Sequence, residues 1–151
     1  MQEKLFINPD VWQDQLEQLE QICYEKGIKE VEFKAGKGDY YFHEERKILI
    51  DTNNNAEKMF YILLHEYGHY KIMKDEAYLG KKYAKIATCS KPKTLSLQVL
   101  SVEEEVMAWF FGEELANEYG FTIDFKRFRF LKAKCLKSHI NSHSKIMEQT
   151  Q

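Results

Sequence analysis

The sequence predicts a single α+β domain: a mostly antiparallel sheet of about three strands, packed on a central helix and flanked by further helices. Three observations lead there. Between residues 31 and 50, short β-rich runs alternate with glycine and charge, as in a small sheet. From about Ala56 to Met73 a helical stretch runs unbroken, and its segment Met59 to Leu64 is apolar on every side, as a buried central helix must be. The 151 residues contain no internal repeat, low-complexity tract or linker, and suffice for one core but not for two ordinary domains.

Asn8-Pro9 reads as a helix start, with Asn8 as cap and Pro9 in the first turn, where a missing N–H costs nothing. Trp12, Leu16, Leu19 and Cys23 then recur at helical spacing, and Gly27 ends the helix. Val31-Glu32-Phe33, Tyr40-Tyr41-Phe42 and Ile48-Leu49-Ile50 are the strands, separated by a turn through Gly36 and Gly38 and by the charged turn Glu44-Glu45-Arg46. The polar loop Asp51 to Asn55 introduces the central helix. Tyr78 to Ala87 is expected to be helical and Ser90-Lys91-Pro92-Lys93 a loop. Ser101 with Glu104 makes a capping box, so a helix is expected to open there and end near Gly120. A last, basic helix is expected within 124 to 147.

An apolar share of 44% and a charged share of 30% are those of a folded chain, and a net charge of −2 gives no general bias toward nucleic acid or membranes. MQEKLFINPD lacks the apolar stretch of a signal peptide, and no apolar run reaches the roughly 18 residues that span a bilayer. Cys23, Cys89 and Cys135 are scattered and odd in number, which fits reduced thiols rather than a disulfide frame. The expected location is therefore the cytoplasm.

His65-Glu66-Tyr67-Gly68-His69 lies inside the central helix. Histidines four apart share a face, offset by about 6 Å along the axis and about 40° around it. Both imidazoles can then reach one zinc ion at about 2 Å, while Glu66 sits to the side, placed to take a proton from an attacking water. Chance produces this spacing in roughly 2% of chains of this composition, and here the polar residues interrupt an apolar helix where idle burial is costly. Both facts favour metal chemistry over coincidence. A catalytic zinc needs a third protein ligand and an open position. Asp75 follows His69 by six residues, as in extended motifs, but Ile72 occupies the place of their turning glycine. Glu103, Glu104 and Glu105 are the alternatives. Glu103 belongs to a fraying first turn and Glu104 to the capping box, where acidic side chains also suit the helix dipole. Glu105, with Ala108, Trp109 and Gly112 on its own face, is the favoured ligand.

Phe60 to Tyr70 resembles the active helix of ImmA/IrrE-type metallopeptidases, whose zincin motif commonly ends in Gly-His, and Glu105 to Leu115 resembles that family's second helix. The resemblance covers roughly residues 46 to 116. It departs from the family's pattern at Trp109, where asparagine is usual, in a long segment between the motifs, and in lacking a proline after the second helix. It implies a zincin-like fold, Glu105 as third ligand and hydrolysis of a protein amide bond. It further implies limited proteolysis of a regulator, such as a helix-turn-helix repressor encoded beside the peptidase in a phage or other mobile element. The competing expectation is a non-catalytic protein that uses the same fold to grip a partner, against which an intact Glu66 argues.

Other chemistry-bearing residues have plainer readings. His139 and His143 form a second i,i+4 pair without a glutamate between them and read as surface residues. His43 reads as a solvated strand end. Tyr67, Tyr70, Tyr83 and Tyr119 could each face a developing oxyanion, with aromatic core the default. Lys126 to Lys134 interleaves cations with aromatics, and an amphipathic helix with Phe128, Leu131 and Cys135 inward explains it more simply than a nucleic-acid surface.

Overall fold

The structure, a computed structural model, describes residues 9–75 and 94–149. Their order is α1 (Pro9–Lys26), β1 (Glu30–Phe33), β2 (Tyr40–Phe42), β3 (Lys47–Ile50), α2 (Ala56–Lys74), α3 (Leu95–Glu118) and α4 (Phe125–Gln149). This is the expected α+β class, with four helices and one three-stranded sheet among the described residues. The cap Asn8, the helix expected over Tyr78 to Ala87 and the loop at Ser90 to Lys93 lie outside them, as do Tyr83 and Cys89. None of the described helices is long and apolar enough to cross a membrane. The chain forms two compact units, divided between Leu63 and Leu64 inside α2.

In the first unit α1 buries the expected stripe of Trp12, Leu16, Leu19 and Cys23. Each such side chain contributes about 1.5–3 kcal/mol when fully buried. Trp12 meets the edge of Tyr61 at 5.6 Å and Phe60 at 6.1 Å. The helix ends in a Schellman turn: Ile28 N donates to Cys23 O and Gly27 N to Tyr24 O, with Gly27 at φ 116°.

The sheet departs from expectation in one respect. It is mixed, in the order β1-β3-β2, and only β2 and β3 are antiparallel. The charged turn makes β2 and β3 a hairpin, whereas β1 takes the far edge of β3 and pairs with it in parallel, Val31 opposite Ile48. The chain from β1 must therefore cross the end of β3 to reach β2. Lys34 N donates to Ile50 O at 2.9 Å, Gly36 N to Asp51 Oδ1 at 3.0 Å, and Asp51 N to Asp39 Oδ1 at 2.7 Å. Gly36 and Gly38, at φ 71° and 73°, supply the left-handed residues this wrap requires. Asn55 then caps α2, its Oδ1 accepting from Lys58 N at 2.9 Å.

In the second unit α3 begins earlier than the sequence predicts. Thr94 is the cap, its Oγ1 accepting from Leu97 N at 3.3 Å, and Ser101 lies inside the helix. Gln98 is buried and Leu97 and Leu100 half-buried, so the residues before Ser101 already pack as helix. Glu103, Glu104 and Glu105 thus occupy the helix body rather than its first turn. A second Schellman turn at Gly120 ends α3, with Phe121 N donating to Ala116 O. Asp124 caps α4, Oδ1 accepting from Arg127 N at 3.1 Å, and these bonds to Arg127 lower its carboxyl pKa. Along α4 Phe128 is buried and Leu131 and Cys135 half-buried, as the amphipathic reading expects.

Candidate metal centre

Two glycines bring α2 and α3 together. A Cβ on Gly68 would stand 2.6 Å from the carbonyl carbon of Ala108, and one on Gly112 would stand 2.6 Å from Leu64 O. Only backbone without side chains passes at that distance. Because Gly68 lies one residue before His69, and Ala108 three after Glu105, this close passage presents the α2 histidines to the acidic turn of α3.

The result is a compact donor set. His65 Nε2 and His69 Nε2 lie 3.2 Å apart. His65 Nε2 is 3.2 Å from Glu105 Oε2, and His69 Nε2 is 3.3 Å from Glu105 Oε1. These three residues form a group that could hold a metal ion. Donors about 2.0–2.1 Å from a shared zinc in tetrahedral array stand about 3.3–3.4 Å apart, so the spacing and the two-imidazole, one-carboxylate chemistry both fit that ion. Of the carboxylates weighed from sequence, Glu105 joins the histidines, while Asp75 and Glu103 are exposed and outside the group.

Glu104 has a role the sequence did not suggest. Its Oε1 accepts from His69 Nδ1 at 2.7 Å. With its proton held on Nδ1, a neutral His69 turns the lone pair of Nε2 toward the donor set, the usual service of a carboxylate behind a ligating histidine. His65 is held differently. Its Nδ1 has no hydrogen-bond partner among the described residues, and its ring instead stacks on Trp109 with centroids 4.3 Å apart. Trp109 in turn meets Phe128 of α4 edge-on at 5.4 Å.

The acids around His69 also favour its charged form, so a metal ion bound at Nε2 would displace a proton. Burial opposes a charge on His69, but the fields and hydrogen bonds of Glu104 and Glu105 prevail and raise its pKa well above the ordinary value. Burial lowers the pKa of His65, with Glu105 pulling the other way. Glu105 is penalised by burial as an anion, yet His69 and His65 hold it ionised far below the usual range. The positive charge and hydrogen bonds of the two imidazoles are what keep this buried carboxylate anionic.

Glu66 is buried on α2 beside His65. Tyr67 and Tyr70 are also buried and pack ring to ring at 5.8 Å, in keeping with aromatic core. His43 is exposed, its Nδ1 3.4 Å from Tyr41 Oη. His139 departs from the surface reading. The return of α4 along α3 carries its Nε2 to 3.4 Å from Glu105 Oε1. The available signal was the i,i+4 spacing of His139 and His143, which alone gives no direction. Comparison with family models, with curated proteins and with solved structures finds no match for this chain.

Proposed function

We propose that the protein is a zinc-dependent metallopeptidase that hydrolyses an amide bond in a protein substrate. The observation that carries this reading is the convergence of His65 Nε2, His69 Nε2 and the two oxygens of the Glu105 carboxylate, with separations of 3.2–3.3 Å, next to a buried glutamate of the HExxH pattern. His65, His69 and Glu105 would hold the ion. When bound, zinc supplies Lewis acidity, which polarises a scissile carbonyl and makes a water more acidic.

The chain's own groups do the rest. Glu66 accepts a proton from the attacking water and returns it to the leaving amine nitrogen, so the carboxylate is regenerated in each turnover. Glu104 keeps the His69 proton on Nδ1 and fixes the ring. Trp109 fixes His65 by stacking and shields that side of the donor set from water. The resemblance to ImmA/IrrE-type peptidases suggests the substrate class: a regulatory protein, such as a helix-turn-helix repressor, cut once or a few times.

Glu66→Gln tests the catalytic part. It keeps size and most hydrogen bonding but removes the proton acceptor, so zinc content and melting temperature should match the parent. Cleavage should fall by about 10²- to 10⁴-fold, the usual worth of a general base. The assay is proteolysis of candidate repressors followed by gel and mass spectrometry, alongside the cellular effect of each variant. A glutamine variant that acts as well as the parent would replace the peptidase by a partner-gripping protein.

A further inference from the structure

We propose that the groove between α3 and α4 seats an amphipathic helix of the protein on which this chain acts, a helix with an apolar stripe and acidic residues along one flank. The inference rests on the peptidase reading only for the fate of that helix. Two faces of α3 are apolar. Ala108, Trp109, Gly112, Leu115 and Ala116 are buried on one. On the other, Leu95, Val99, Val102 and Val106 follow at spacings of four, three and four, the rhythm of a helix that packs along a second helix. Yet Leu95, Val99 and Val106 are 61%, 51% and 38% exposed. A contiguous exposed apolar surface of this kind marks an interaction site.

The seam lines a cavity of about 500 Å³, walled on the α4 side by Ile140, itself 50% exposed, and His143. From Leu95 to Val106 it runs about 17 Å, at 1.5 Å per residue. That is the length of about three helical turns, so apolar residues at i, i+4 and i+7 of a docked helix would fill it. The rims set the charge. Glu103 stands on the α3 side, while on α4 Lys137 lies about 60° beyond Ile140 and shares an exposed polar strip with Lys134 and Lys145. A docked helix therefore meets cations along its α4 flank, which acidic side chains complement. A second copy of this chain fits less well, because it would set one concave face against another. The groove is also continuous with the donor set. Val102 and Val106 bracket Glu105 on α3, and His143 is one turn beyond His139, whose Nε2 lies 3.4 Å from Glu105 Oε1. Chain leaving a docked helix at that end is held beside the donors.

The test uses the full-length chain as Glu66→Gln, so that nothing bound is cut. The probe is a display library of peptides of about 18 residues, with leucine fixed at the 4-3-4 stripe and the flanks varied. Selected peptides should carry Asp or Glu along one flank. Val99→Asp, at an exposed position, should weaken them at least about 10-fold by fluorescence anisotropy, and Lys137→Glu should turn the preference toward basic flanks. An absence of binders, or binders indifferent to both substitutions, overturns the proposal. So does a dimer in sedimentation that Val99→Asp dissociates, since a second copy would then be the occupant. A selected peptide extended at both ends and offered to the zinc-loaded parent separates this proposal from the peptidase reading. Cleavage with KM raised and kcat unchanged in Val99→Asp supports both. A peptide that binds in the groove and is never cut leaves the docking site standing and sinks the peptidase.

Discussion

Gly68→Ala sets two effects on helix α2 against each other. Intrinsic propensity favours alanine over glycine in a helix interior by about 1 kcal/mol. Sterics oppose it, because the new Cβ would stand 2.6 Å from the Ala108 carbonyl carbon, 2.7 Å from its Cα and closer still to its oxygen. All three are backbone atoms, so no rotamer change relieves the clash. Restoring ordinary contact requires α2 and α3 to part by roughly 1 Å, which forfeits a large share of the dispersion energy where they touch. Overpacking of this kind costs about 1–3 kcal/mol, and loosening around buried Ile72 and Ala108 adds to it. The expected net effect is a loss on the order of 2 kcal/mol, or about 7 °C in melting temperature for a chain of this length. The same parting stretches the 3.2–3.3 Å donor separations, so zinc affinity should fall with stability. Circular dichroism melts with and without zinc, and a competition titration against a chelating dye, read both quantities. A variant as stable as the parent, with unchanged zinc affinity, would refute the close helix passage on which the site depends.

The dye titration also ranks the carboxylates. Glu105→Ala should weaken zinc most, Glu104→Gln by roughly 10- to 100-fold through loss of the support behind His69, and Asp75→Ala not at all. A reversed order of Glu105 and Asp75 would mean that the wrong acid has been assigned. Burial, with the nearby charge of Glu20 adding to it, pushes the Cys23 thiol up to about 12. Native Cys23 should therefore resist iodoacetamide at pH 8 while half-buried Cys135 reacts, as peptide mapping will show. The folded state keeps this proton to higher pH than the unfolded chain. The linked stabilisation is therefore intact below the unfolded thiol pKa and lost as pH rises from about 9 toward 12. Equal alkylation of the two cysteines in native protein would contradict the buried placement.

Much of this was legible in the residues because local rules and tertiary structure agreed. The 3.6-residue stripe from Trp12 to Cys23 and the all-apolar run before His65 admit only one burial each. The histidine spacing likewise puts two imidazoles on one face whatever surrounds them. The start of α3 was less legible, because Thr94 and Ser101 are both competent caps and only the packing of Leu97 and Gln98 chooses between them. That choice changes the acidic run from a charged terminus into a helix body, which frees Glu104 for His69. Strand order was hidden for a different reason: periodicity shows that β1 is a strand but not which edge it joins. His139 was out of reach altogether, since its place depends on the crossing of α3 and α4, a relation with no local signature.

If His65, His69 and Glu105 hold a metal, elemental analysis of the purified protein will find it. Parent protein and His65→Ala are dialysed against the same zinc-containing buffer, then measured by mass spectrometry of the elements, with far-ultraviolet spectra confirming that both are folded. About one zinc per parent chain and almost none in the folded variant is the expected result. A folded parent without zinc, or a His65→Ala variant that holds as much as the parent, would contradict it.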